Sequence, residues 1–194
     1  VLADASLPLV DYVRQVLPDR MIEDGEWLPL PGWDLRAVHT PGHSPGHLCF
    51  HEPGRRVLLS GDHVLPRITP NVGVHAQSAG DPLAEFLASL ARVSALDADV
   101  DEVLPAHEYR FAGIGARVEQ LLGHHEHRLE EIRTASTGRT TWALTGALTW
   151  SRPWDQVSGF MRRAAVAETL AHLVLLESRG QVRRTGLPWA WEAA

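Results

Sequence analysis

The sequence has no lysine: all 18 basic residues are arginine, which reads as a compositional bias of the source and not as a function. It has a single cysteine, Cys49, so an internal disulfide framework is excluded and a cytoplasmic setting is the expectation. No apolar run approaches the roughly 20 residues that cross a bilayer, and no charged-then-apolar stretch opens the chain, so no membrane partner is expected. There is also no internal repeat and no low-complexity tract. A net charge of −6 argues against a surface that coats nucleic acid, leaving room only for a local basic stripe. What remains is ordinary for a folded protein: 44% hydrophobic and 22% charged residues over 194 positions, enough for one large domain or a medium one with a small companion.

The local patterns predict a mixed α/β order. Apolar spacing of 3–4 marks a helix over 5–16, stopped by Pro18. Strands are expected at 26–30 and 33–39 around Pro31-Gly32, at 47–51, and at 56–60 after the turn Glu52-Pro53-Gly54-Arg55. Residues 65–80 have no period and read as a loop, long enough to suggest a functional one. Asp81 caps a helix over 81–95 with Pro82 in its first turn. A strand over 103–105 and a long helix over 114–133 follow, and composition shifts at 134–138, where a domain boundary is placed. Beyond it come a short helix at 140–148, a helical region over 154–179 ended by Gly180, and two short strands at 181–185 and 187–191. Helices followed by a small hairpin suggest a winged-helix module.

The chemistry gathers at three strand ends. Thr40-Pro41-Gly42-His43-Ser44-Pro45-Gly46-His47 is a turn preset by proline and glycine between two extended segments. Ser60-Gly61-Asp62-His63 and Pro105-Ala106-His107-Glu108-Tyr109 each open directly after an apolar strand. Imidazole nitrogens and a carboxylate are ligand types that zinc and related ions take, and a carboxylate can serve two ions at once.

These three motifs resemble the later motifs of the metallo-β-lactamase-fold hydrolase superfamily. The resemblance runs from about residue 26 to the C-terminus. The tail, with Ala167-Glu168-Thr169-Leu170-Ala171-His172-Leu173, is similar to the branch that carries a C-terminal winged-helix domain, the β-lactamase-like protein 2 group. The resemblance implies the second half of an αβ/βα sandwich over 1–134 and a winged-helix domain over 139–194. It implies that His43 binds one metal, Asp62 bridges both, and His107 binds the second, with two zinc ions in the complete enzyme. Hydrolysis would then use a metal-activated water on an ester, thioester or phosphodiester of a small molecule or RNA. The family's first motif, His-x-His-x-Asp-His, does not occur in the sequence. It is expected upstream of Val1, so that the chain alone would be incomplete and would join a second copy or an N-terminal fragment to complete the sandwich. Two alternatives accompany this reading: an endoribonuclease, or a non-catalytic winged-helix binding protein with a degenerate hydrolase half.

Other residues are weighed against plainer roles. His47 is expected to support the ligands, orienting His43 or substrate, and His63 either lines the pocket or packs. His124, His125 and His127 read as a solvated helix face. Glu108 and Tyr109 read as structural support for His107, and Cys49 as buried and inert.

Overall fold

The structure is a computed structural model that describes residues 18–75, 78, 80–186 and 189–194. The helix expected over 5–16 lies outside the described residues. The first element is a hairpin of β1 (Trp27–Leu30) and β2 (Trp33–His39), turned at Gly32, whose φ of +76° calls for glycine. β3 (Leu48–Glu52) and β4 (Val57–Gly61) add antiparallel neighbours, and β5 (Glu102–Pro105) joins parallel to β4. The result is a five-stranded sheet in the order β1-β2-β3-β4-β5.

A parallel pair needs a crossover, and here α1 (Pro82–Ser94) supplies it. Its start matches the sequence expectation: the Asp81 carboxylate accepts from the Ala84 N–H at 2.9 Å, and proline occupies the first turn, where its missing N–H costs nothing. The long α2 (Ile114–Ala135), the short α3 (Thr141–Ala147) and α4 (Gly159–Ser178) follow, and β6 (Val182–Thr185) pairs with β7 (Ala190–Ala193) at the end. Past α4, the Gln181 N–H bonds to Leu176 O and the Gly180 N–H to Glu177 O, a closing motif that needs the left-handed Gly180.

The two faces of the sheet differ. Register places Val38, Cys49, Leu58 and Val103 on one face, and the last three are fully buried in one cluster with Phe86 and Leu90 of α1 and Ile114 and Val118 of α2. The opposite face is covered unevenly: Ala37 and Leu35 of β2 are buried, Phe50, Leu59 and Leu104 are only half-buried, and Trp33 and Leu30 beyond them are exposed. The buried cluster continues through Leu144, Ala171, Leu173 and Leu176 to Trp191. Leu173 and Leu176 are thus core, as their helical spacing suggests. No helix among the described residues is long and apolar enough to cross a membrane.

Three expectations need correction. The helical region over 154–179 is two pieces, a 3-10 turn at Trp154–Gln156 and then α4, because the chain is extended at Val157 and Ser158. The last strand, Ala190–Ala193, runs past the expected end at 191, while residues 187 and 188 of the expected 187–191 lie outside the described residues. His125 is not on a solvated face. It lies on the stripe Leu121, His125, Leu129, Ile132 that α2 turns to the core, and only 1% of its surface is exposed.

Candidate metal centre

Topology explains why the three strand ends meet. β2 and β4 both run antiparallel to β3, and β5 runs parallel to β4, so the C-terminal ends of β2, β4 and β5 share one rim of the sheet. The segments leaving those ends carry His43, Asp62 and His107. A register shift between Leu59 and Gly61 bends the end of β4 and turns Asp62 into the rim.

There, Asp62 stands between the two imidazoles. Its Oδ1 is 3.1 Å from His107 Nε2, and its Oδ2 is 3.9 Å from His43 Nε2. The His43 Nδ1–H donates to the backbone carbonyl of Asn71 at 2.9 Å, which selects the tautomer that leaves Nε2 as a lone-pair donor. The nitrogen aimed at the carboxylate is therefore the one able to bind a cation.

His47 acts on Asp62. The Asp62 N–H donates to His47 Nε2 at 3.1 Å, so the ring proton sits on Nδ1 and is given to Thr40 Oγ1 at 2.7 Å. Thr40 in turn reaches Cys49 Sγ at 3.4 Å, anchoring the turn to the buried face of β3. This arrangement needs a neutral His47, and burial, reinforced by the neighbouring His43, does push its pKa below the ordinary value. Gly61 makes the approach feasible: at φ +52°, a Cβ there would stand 2.7 Å from His47 Nε2. Sequence spacing alone placed His47 near the ligands but could not say which it holds. If the rim holds a metal, replacing His47 by Ala is expected to weaken its binding about 10–100-fold, as loss of a group that orients a ligand does. Competition titration against a chelator measures this, and unchanged affinity would mean that the Asp62 backbone is held without His47.

The second clamp joins the two ligand-bearing segments. Glu108 follows His107 with φ +70°, uncommon for a residue with a side chain. Its carboxylate accepts from Arg67 N–H at 3.2 Å, Nε at 3.1 Å and Nη2 at 2.8 Å. Arg67 lies five residues after Asp62, so the loop from β4 and the loop from β5 are tied together. His63 points away from the rim. It is fully buried against Phe86 with neither ring nitrogen hydrogen-bonded to protein, and burial, with His47 beside it, lowers its pKa to about 3. Cys49 is fully buried, and desolvation pushes its thiol up to about 12, which makes it inert as expected.

The donor set fits a metal in kind and falls short in number. Two imidazoles, His43 with its Nε2 left as a lone-pair donor, and one carboxylate with an oxygen toward each are suitable in kind for two ions sharing Asp62. Yet among the described residues no three His, Cys, Asp or Glu side chains close on a single point. Each prospective ion has two of these donors, one imidazole and one carboxylate oxygen.

Comparison with known proteins identifies the family. The sequence profile of the Metallo-beta-lactamase superfamily matches residues 6–107, a span that includes all three candidate ligands. Lactamase-like protein vrtG of Penicillium aethiopicum is 35% identical over 116 residues, covering 60% of this chain and 34% of its own. The atrochrysone carboxyl ACP thioesterase AgnL7 of Paecilomyces divaricatus is 35% identical over 102 residues, covering 51% of this chain and 29% of its own. The chain thus spans about a third of the length of these relatives. The crystal structure of the metallo-beta-lactamase family protein TTHA1429 from Thermus thermophilus superposes with a TM-score of 0.83 at 34% identity, over 100% of this chain and 65% of that one. The rim of three strand ends, the shared aspartate and these matches together place the chain in the metallo-beta-lactamase superfamily.

Proposed function

We propose that this chain is part of a metal-dependent hydrolase, acting on a thioester in preference to an ester or phosphodiester. The observation that carries the reading is Asp62, whose two oxygens face the Nε2 atoms of His43 and His107 at 3.9 and 3.1 Å. The preference for a thioester rests on AgnL7, whose name is that of an acyl carrier protein thioesterase. The remaining ligands would come from a His-x-His-x-Asp-His segment, upstream or on a partner polypeptide, and we identify the ions as zinc. When bound, they would supply a water acidic enough to attack as hydroxide and positive charge for the developing oxyanion.

The chain's own residues do the positioning. His43 presents Nε2 because Asn71 holds its other nitrogen. Asp62 is held at its backbone by His47, and Arg67 with Glu108 keeps the two loops in register. A thioester and water would give a carboxylic acid and a thiol. In the same proposal, α3, α4 and the β6–β7 hairpin form the winged-helix unit that leans on the loop after Asp62, since Val74 N–H donates to Ala167 O at 3.2 Å. That unit is ill-placed to read nucleic acid, because α4 buries Ala171, His172, Leu173 and Leu176 in the core. The half-buried face around Phe50, Leu59 and Leu104 is where the completing polypeptide would pack.

The test is hydrolysis of matched thioester, ester and phosphodiester substrates by the protein supplied with the missing motif. The thioester is expected to turn over fastest, to stop on chelation and to recover with zinc. Equal rates in the chelated and zinc-loaded protein would overturn the reading.

A further inference from the structure

The loop that leaves β4 is fastened step by step to other elements. Arg67 bonds Glu108 after β5, and Arg117 of α2 donates Nε to Leu65 O at 2.7 Å and Nη2 to Ile68 O at 2.9 Å. Further on, Val74 N–H donates to Ala167 O of α4 at 3.2 Å, and Gly73 comes so close to α4 that a Cβ there would stand 2.9 Å from Ala167 Cβ. Between Ile68 and Gly73 lies Asn71. Its side-chain amide donates to Glu168 Oε2 of α4 at 3.3 Å, and its backbone carbonyl accepts the His43 Nδ1–H at 2.9 Å. One residue thus joins a carboxylate of α4 to a candidate metal ligand.

The chemistry of the groups fixes the direction of each bond. A backbone carbonyl only accepts, so while this bond holds, a neutral His43 carries its proton on Nδ1 and keeps the lone pair on Nε2. A hydrogen bond weakens steeply as its acceptor moves out of line, so whatever holds the Asn71 carbonyl in place also holds the tautomer. A loop carbonyl has little stiffness of its own, whereas Glu168 stands on a helix whose following turns bury Ala171, Leu173 and Leu176 in the core. The same turn is tied sideways: His172 Nδ1–H donates to Glu168 O at 2.8 Å, and His172 Nε2 meets His125 Nδ1 of α2 at 3.2 Å.

We infer that Glu168 is a positioning residue for His43 and acts through Asn71. The carboxylate holds the Asn71 side chain, the Asn71 carbonyl holds the His43 Nδ1–H, and Nε2 is left facing Asp62 as a lone-pair donor. α4 therefore belongs to the support of the metal centre although it supplies no candidate ligand. The inference rests on the hydrolase reading for the metal that His43 would bind, and on the bonds at Asn71 alone for the relay.

The relay can be read without metal or turnover, from nitrogen-15 spectra of the histidine rings at pH 8. They are recorded on this chain and on the protein supplied with the missing motif, with His43 assigned by comparison with His43→Gln. The native ring is expected in the Nδ1–H form. Glu168→Leu should bring in the Nε2–H form, Asn71→Ala should do the same, and the double variant should go no further than either single one, as members of one relay do. Glu168→Gln, whose amide oxygen still accepts from Asn71, should keep the native spectrum, which packing alone would not require of it. Asn71→Ala, in the loop, carries the test should Glu168→Leu melt early. Zinc is then titrated against a chelator in the protein supplied with the missing motif. Glu168→Leu and Asn71→Ala should each weaken its binding about tenfold, and Glu168→Gln less than about twofold. A His43 ring that stays in the Nδ1–H form in both variants, with zinc bound as tightly as before, overturns the relay and leaves the hydrolase reading standing. The described change of tautomer, in a protein that hydrolyses no thioester, upholds the relay and removes the hydrolase.

Discussion

On the proposed function, Asp62→Asn in the protein supplied with the missing motif is expected to abolish metal retention at one locus or both and to lower kcat/KM on a thioester by more than about a hundredfold, beyond what loss of a merely orienting group costs. The change keeps the size of the side chain and removes its charge and one of its two acceptor oxygens. Both imidazoles face this one carboxylate, so no neighbouring group takes over. Because Asp62 lies at a partly exposed rim, stability should change little, and thermal melting serves as the check on folding. His127→Ala, on the solvated side of α2, is the control and should leave metal content and rate alone. Metal analysis after dialysis, alongside kinetics, reads the result. An Asp62→Asn protein with full metal content and an undiminished rate would remove the shared-carboxylate geometry from the mechanism.

A second large effect is expected in acid, from a pair of histidines in the core. His125 Nδ1 and His172 Nε2 lie 3.2 Å apart in the core between α2 and α4, and His172 Nδ1–H donates to Glu168 O at 2.8 Å. His125 Nδ1–H donates to His172 Nε2, so a second proton would either sit on His125 Nε2, which is buried with no partner among the described residues, or on His172 Nε2, facing the first. Burial, with His172 close by, lowers the His125 pKa to about 3, and burial, with Arg128 and His124 nearby, lowers that of His172 to about 4. Both folded values lie below the 6.5 of the unfolded chain, so in between the unfolded state binds more protons. Stability from this pair is therefore complete above pH 6.5 and lost as the pH falls toward 4. Each group contributes a slope approaching about 1.4 kcal/mol per pH unit. Glu168 opposes them, because its raised pKa lets the folded state take up a proton first as the pH falls. Urea unfolding from pH 7 to 4.5 measures the slope. In a His125→Leu/His172→Leu variant it should drop by close to two protons, whatever the stability at pH 7. An unchanged slope would assign the acid sensitivity to other groups.

Much of the backbone was legible in the sequence because its causes are local. Pro31-Gly32 and Glu52-Pro53-Gly54-Arg55 mark hairpin turns, Asp81-Pro82 starts a helix, and Gly180 ends one, each through dihedral preferences or a hydrogen bond within a few residues. The three candidate ligands were legible for the same reason: each is a ligand-type side chain directly after an apolar strand, and a shared rim follows from strand direction. Tertiary packing decided the rest. His125 and His172 are 47 residues apart, and Asn71 and Glu168 are 97 apart. No periodicity relates residues so distant, and each pair meets only because α4 packs back on the rest of the chain. His125 is one of three clustered histidines in the sequence, yet the phase of α2 buries it and leaves His124 and His127 outside. His47 could be seen beside His43 in the turn, but its bond to the Asp62 backbone depends on β3 lying between β2 and β4 and on a glycine at 61 that lets the ring come close. Local chemistry determined which residues are candidate ligands and which start a helix; the packing of distant segments decided which of them touch.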